Sequence, residues 1–253
     1  MSIAPCRIFA AIPARMASTR FPGKPLAPIL GKPMLHWVIE GVKKSTLVQH
    51  IFVATDHQEI TNACAHISEV EVILTDSNIQ SGTDRIYHAL KHRCLPGDLI
   101  INVQGDEPLI QGETVDHLIS LLLNNPRYLM ATLANPLVKE TDLFNQNIVK
   151  VLCNIRSEAI YFSRFPIPYS RMKPNNPFVS MRHLGIYAYW FHFLEEFCQL
   201  PPSPPETCES LEQLRALFAG IPILVGTTSA TCLGVDHPED ISLVEQELKK
   251  RQQ

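Results

Sequence analysis

Short β-branched runs alternate with helical patterns through the first half of this chain. Residues 7–12, 50–55, 70–74 and 98–103 read as strands, and helical patterns near 33–44, 58–66 and 84–92 separate them. Parallel neighbours need a long crossover between them, which a helix supplies, so the order predicts βαβ units. The expected architecture is α/β: a mostly parallel sheet with helices on both faces. Such sheets bind ligands beyond the carboxyl ends of their strands, so motifs directly after strands carry the most weight.

Beyond a helix near 114–123 the pattern turns mixed. Residues 128–134, 147–154 and 182–190 read as strands around a turn-rich stretch at 165–177, where a smaller mixed α+β subdomain is expected. A helix at 208–218, a strand at 222–225 and a last helix from 238 to 250 follow, and the proline-rich 201–205 reads as a rigid connector between two helices. At 253 residues the chain suits one enlarged domain.

Against 25 acidic residues stand 22 basic ones, without the excess that marks a nucleic-acid binder, so any polyphosphate must be held by a local site. The seven scattered cysteines include no C-x-x-C pair that would suggest zinc or redox chemistry, and they read mostly as buried thiols. The apolar run near residue 10 ends at once in proline and arginine, and none approaches about 18 residues, so a cytosolic protein without signal or membrane anchor is expected.

The first strand runs into a loop from Pro13 to Pro25 that holds Arg15, Ser18, Thr19, Arg20, Gly23 and Lys24. Backbone N–H groups and cations there could wrap a triphosphate and balance charge on departing pyrophosphate, or the loop is simply basic and solvated. Gln80-Ser81-Gly82-Thr83-Asp84-Arg85 follows the third strand: Ser81 and Asp84 read as a helix cap, while small groups there could also meet the edge of a pyrimidine. Asn102-Val103-Gln104-Gly105-Asp106-Glu107-Pro108 ends an apolar strand, where a carboxylate can hold Mg²⁺ or merely form an acidic turn. Asp236, after the strand-like 230–235, reads locally as an N-cap with Glu239 at the third helical position.

Three further segments could meet an acceptor: 162–164, 182–187 and 211–215. Period-two spacing puts Leu184, Ile186 and Ala188 on one strand face and His183, Gly185, Tyr187 and Tyr189 on the other. This is a possible pocket wall or an ordinary half-buried strand. On the 208–218 helix, Leu211, Leu214 and Phe218 mark the core stripe, and Glu212 and Gln213 read as solvated on local pattern.

Taken together, the loop R-x-x-S-T-R-x-P-G-K at Arg15–Lys24, the Gln80–Arg85 segment, the Gln104–Pro108 segment and G-V-D-x-P-E-D at Gly234–Asp240 resemble, in order and over nearly the whole chain, the 3-deoxy-manno-octulosonate cytidylyltransferases, or CMP-Kdo synthetases. The resemblance implies a Rossmann-like nucleotidyltransferase sheet in a single domain, 1–253. The mixed part at about 128–190 would contribute sugar and dimer contacts. It implies transfer of CMP from CTP to 3-deoxy-D-manno-octulosonate (Kdo), with release of pyrophosphate, for lipopolysaccharide assembly. Arg15 and Lys24 would grip the CTP phosphates, Ser81, Gly82 and Arg85 would serve the nucleotide, and Asp106 and Asp236 would hold Mg²⁺. Gln104, Arg164, His183, Tyr187, Glu212 and Gln213 would form the sugar pocket, and a homodimer would form through 165–189. Departures lie at Cys232-Leu233 before Gly234 and at the proline-rich Pro204-Pro205-Glu206.

Overall fold

The computed structural model describes residues 6–17, 21–137, 139–169, 171, 180–230 and 233–251. Strand β1 (Ile8–Ala14) is followed by a small hairpin of β2 (Pro28–Ile29) and β3 (Lys32–Pro33), which feeds helix α1 (Met34–Lys43). Strand β4 (His50–Thr55), α2 (Gln58–Cys64), β5 (Val70–Leu74), α3 (Gly82–Leu90), β6 (Leu99–Asn102) and α4 (Gly112–Leu123) continue the alternation. Next come β7 (Met130–Pro136), α5 (Glu140–Phe144), β8 (Lys150–Cys153), β9 (Ala159–Ser163) and β10 (Met181–Trp190). Helices α6 (Phe191–Gln199), α7 (Pro204–Glu209) and α8 (Leu214–Phe218) precede β11 (Ile223–Thr227) and α9 (Asp240–Arg251).

The main sheet has the order β11-β7-β10-β6-β1-β4-β5. Strands β6, β1, β4 and β5 are parallel, as are β11 and β7, whereas β10 runs antiparallel to both of its neighbours. Thus β7 and β10, from the segment expected to be a mixed subdomain, lie inside the main sheet, and the β8–β9 pair extends from the start of β10.

Both faces of this sheet are covered, which explains its unbroken apolar strands. In β1, Ile8, Ala10 and Ile12 pack with Leu35, Ile39, Leu118 and Leu122 of α1 and α4, while Phe9 and Ala11 pack with Ile86, Leu90, Phe193 and Leu214 of α3, α6 and α8. The alternation in β10 also holds, with Leu184, Ile186 and Ala188 joining the first core and Tyr187 and Tyr189 the second.

Two expectations fail. The single helix at 208–218 is broken: Ser210 takes a left-handed conformation (φ 52°) between α7 and α8. A capping box between Ser203 and Glu206 starts α7, and the reversal after it lets Glu206 pair with the Arg215 guanidinium at 2.5 Å. Phe218 is consequently 64% exposed and does not belong to the core stripe, although Leu211 and Leu214 are buried. The described part of 230–235 forms no strand; Thr231 and Cys232 lie outside the described residues.

Lys150 of β8 is fully buried, and its ammonium donates to three carbonyls: Asn145 at 3.0 Å, Ile148 at 2.6 Å and Arg164 at 2.5 Å. Burial brings its pKa down to about 8. Each of its three hydrogens has an acceptor, and all three carbonyls lose their donor together if the amine is removed. Lys150→Met is therefore expected to lower unfolding free energy by about 3 kcal/mol in urea denaturation at pH 7.

Candidate functional site

The carboxyl ends of β1, β4 and β6 share one edge of the sheet. Because β10 is antiparallel to β6, with Tyr187 opposite Asn102, its amino-terminal half reaches the same edge. Two cavities of about 660 and 700 Å³ open there, and both are lined by Gln104 and Asp106. Arg15, Lys24, Gly82 and Arg85 line the first, whereas Arg164, His183, Tyr187, Glu212, Gln213 and Asp236 line the second.

In the first cavity three separate motifs meet at the end of β1. A Cβ on Gly105 would lie 2.9 Å from the Pro13 carbonyl oxygen, and one on Gly82 would lie 3.2 Å from the Pro13 ring, so only glycine allows this approach without displacement. The exposed Arg15 guanidinium donates to the Gln80 carbonyl at 2.5 Å and ties the loop after β1 to the start of α3. Ser81 caps α3: its oxygen accepts the Asp84 amide at 2.9 Å, and its hydroxyl donates to the Asp84 carboxylate at 2.8 Å. Ser18, Thr19 and Arg20 lie outside the described residues.

Arg85 lines the first cavity and is at the same time tied into the protein beneath it. It is 1% exposed and donates to the Asp56 carboxylate at 2.8 Å, the Thr75 hydroxyl at 2.5 Å and the carbonyls of Asp76 and Ile79. Its guanidinium braces the 75–79 loop beneath the first cavity.

At the junction, Lys24 donates to the Asp106 carboxylate at 2.5 Å and to the Val235 carbonyl at 3.0 Å. The Val235 amide in turn donates to the Asp106 carbonyl at 2.9 Å, which seats Asp236 beside Asp106. Asp236 does not cap the last helix. That helix starts at Asp240, whose carboxylate accepts the amides of Asp236 and His237.

Glu107, which carries no signal beyond its place after Asp106, is half-buried here, and its buried Oε2 atom has no partner among the described residues. Burial, reinforced by Asp106 and Asp236 and opposed by Arg182 and Lys24, pushes its pKa up to about 8. This crowding of carboxyl groups favours a cation. Among the described residues no cluster of three or more His, Cys, Asp or Glu could hold a metal unaided. The pair Asp106 and Asp236 suits Mg²⁺ in particular, which takes most of its ligands from water and phosphate; Lys24 already places one positive charge on Asp106.

In the second cavity, a bulge in β10 between Leu184 and Tyr187 is filled by Thr132 of β7. The Thr132 hydroxyl lies 2.7 Å from the Ile186 carbonyl and 3.0 Å from His183 Nε2. The one hydroxyl hydrogen goes to the carbonyl, so the ring donates from Nε2 and keeps Nδ1 as an acceptor. Burial against Phe162 and Tyr187 lowers the His183 pKa to about 3, so the imidazole is neutral at physiological pH. Burial, with Glu212 nearby, holds the Tyr187 phenol protonated well above its ordinary range.

Arg164 donates to the carbonyls of Glu209, Gln146 and Ser210 and spans the mouth of this cavity. Contrary to their local pattern, Gln213 is buried and Glu212 largely so, and burial raises the Glu212 pKa. Glu212 Oε1 and Gln213 Nε2 have no partner among the described residues, as expected of groups that wait for a ligand. The break at Ser210 is what turns both residues inward, and no helical periodicity could have shown it.

A cytidylyltransferase family model matches residues 9–223. A 3-deoxy-manno-octulosonate cytidylyltransferase of Bdellovibrio bacteriovorus is 46% identical over 97% of this chain and 99% of its own length, and its namesake in Neisseria meningitidis is 46% identical over 92% and 94%. The chain belongs to the 3-deoxy-manno-octulosonate cytidylyltransferase family. A solved structure of a CMP:2-keto-3-deoxy-manno-octonic acid synthetase complexed with CTP is 37% identical and superposes with a TM-score of 0.88, covering 97% of this chain and 99% of that one. A cytidylyltransferase from Leptospira borgpetersenii, 18% identical at a TM-score of 0.65 over 97% of this chain and 87% of its own, shares the fold.

Within this cytidylyltransferase family member, Arg85 offers a separable test of bracing. Arg85→Met leaves the Asp56 carboxylate buried without its partner and releases the 75–79 loop. A loss of about 3 kcal/mol in chemical denaturation is expected, together with a raised KM for CTP. A residue that only touched nucleotide would change the KM without the stability.

Proposed function

We propose that the two joined cavities divide the labour of one reaction, transfer of CMP from CTP to Kdo with release of pyrophosphate. The observation that carries this reading is the shared boundary: Gln104 and Asp106 face both cavities, so a nucleotide in one and a sugar in the other would meet there. Arg15 and Lys24 take the phosphates, the 80–82 segment takes the base, and Arg85 holds that segment from below. On the acceptor side, Arg164 and Arg182 answer the sugar carboxylate, while neutral His183, Tyr187, Glu212 and Gln213 meet its hydroxyls. Because the ring of His183 carries no charge, its contribution is a directed hydrogen bond.

Magnesium would be held by Asp106 and Asp236 and would offset charge on the phosphates. No covalent intermediate is needed: catalysis rests on placing the anomeric hydroxyl in line with the α-phosphorus and on balancing the charge that pyrophosphate carries away. The 128–190 segment supplies Arg164, Arg182, His183 and Tyr187 to the sugar contacts. It also supplies a homodimer contact, a reading supported by exposed Ile160, Phe165 and Tyr169 on and after β9; a monomeric mass in solution would refute it. No described helix is long and apolar enough to cross a membrane. The setting proposed is the cytoplasm, in lipopolysaccharide assembly.

The deciding experiment is pyrophosphate release from CTP and Mg²⁺ across a panel of acidic sugars, with Kdo expected to give the highest kcat/KM. Preference for another acidic sugar would revise the acceptor, and CTP binding without turnover on any sugar would remove the catalytic reading. Asp106→Asn should abolish turnover while the thermal midpoint stays near that of the parent, since no core group is lost. His183→Ala should lower kcat/KM for Kdo by roughly tenfold to a hundredfold and leave CTP affinity nearly unchanged. With the His183 pKa near 3, below its unfolded value, the neutral form persists down through pH 5. The kcat/KM profile for Kdo should therefore show no limb from this residue between pH 5 and 8.

A further inference from the structure

Between the two cavities runs a chain of polar side chains whose two middle members, Thr83 and Asn102, line neither of them. The Thr83 hydroxyl at the start of α3 lies 2.7 Å from Glu212 Oε2, Asn102 Nδ2 lies 3.4 Å from the Thr83 oxygen, and Gln104 Nε2 lies 3.0 Å from Asn102 Oδ1. Thr83 and Asn102 are each 2% exposed. The two ends, Gln104 and Glu212, both reach the acceptor cavity.

This chain has a direction. A carboxylate oxygen can only accept, so Thr83 gives its single hydrogen to Glu212 and has only lone pairs left for its other neighbours. The Asn102 amide supplies a hydrogen to one of those lone pairs. Asn102, having turned its nitrogen toward Thr83, must turn its oxygen toward Gln104. The Gln104 amide then spends a hydrogen on Asn102, and Oε1 is left without a partner among the described residues, as an acceptor at the junction of the cavities. Reversing any one member would set donor against donor or lone pair against lone pair at the next.

We propose that Thr83 and Asn102 are positioning residues that fix which way the Gln104 amide faces, so that its oxygen receives a hydroxyl of the acceptor at the cavity junction. They touch neither substrate. Without them the amide is free to present its NH₂ group to the same hydroxyl, and the acceptor loses an oriented partner while the nucleotide loses nothing. The proposal rests on the reading of the second cavity as the acceptor pocket.

The test compares Thr83→Val, Thr83→Ala and Thr83→Ser in the full chain by pyrophosphate release, with KM measured separately for CTP and Kdo and the thermal midpoint recorded for each. Valine keeps the shape of threonine without the hydroxyl, alanine removes it without any possible clash, and serine restores it. Thr83→Val and Thr83→Ala are expected to raise the Kdo KM about tenfold and to leave the CTP KM within about twofold, while Thr83→Ser stays within about twofold for both. Equal Kdo KM values for valine and serine would overturn the proposal, as would a CTP KM that rises as much as that for Kdo, or a fall in thermal midpoint with both KM values unchanged. Gln104→Ala separates the two levels of inference. If it raises the Kdo KM and the Thr83 variants do not, the positioning chain is wrong; if it too leaves the Kdo KM unchanged, the acceptor reading of the cavity falls first.

Discussion

One strand direction organises the site. Strand β10 enters the sheet between β6 and β7 and runs against both, so residues at its beginning are delivered to the edge where β1, β4 and β6 end. Had β10 been parallel, the edge would have received Trp190, and His183 would lie at the opposite end of the sheet. Parallel strands alone would give a nucleotide edge of the usual doubly wound kind. The antiparallel insertion places a second set of side chains, from a part of the chain some 80 residues later, within one cavity width of the first.

The electrostatics of the junction follow from this crowding. Asp106, Glu107 and Asp236 converge from two segments, and Lys24 and Arg182 oppose the charge that they place on Glu107. Glu107 responds by holding its proton, which leaves Asp106 and Asp236 as the carboxylates for a cation. Among the described residues, the buried side-chain atoms without a hydrogen-bond partner are Glu107 Oε2 at this junction, Glu212 Oε1 and Gln213 Nε2 on the acceptor side, and the Asn135 oxygen. The first three are a cost of folding that a bound substrate or ion can repay, whereas nothing in the structure explains the fourth.

The alternation of β1, β4, β5 and β6 with their helices was legible because strands buried on both faces are continuous apolar runs and because Ser81 is a strong local cap. The placement of Gln104 and Asp106 was legible for the same reason: they follow a short, fully buried and largely apolar strand. Glu212 and Gln213 were not, since the fragment 208–218 has a respectable helical stripe, and a left-handed serine in its middle has no signature in spacing. Arg85 carries a contact that spacing does not show: the Asp56 carboxylate it pairs with lies 29 residues earlier, and the sheet brings the two together. Asp236 is the converse case, because a convincing local cap pattern concealed a carboxylate that the fold turns toward Asp106.

The bond from Lys24 to the Val235 carbonyl joins residues 211 positions apart. A ribosome makes Lys24 211 residues before Val235, so the clasp closes only after the segment that carries Val235 has been synthesised. The early βαβ units can assemble before that, since their contacts are close in sequence, whereas Asp236 reaches Asp106 only afterwards. A nascent chain therefore walls its first cavity before residues 233–243, which complete the second, have been made.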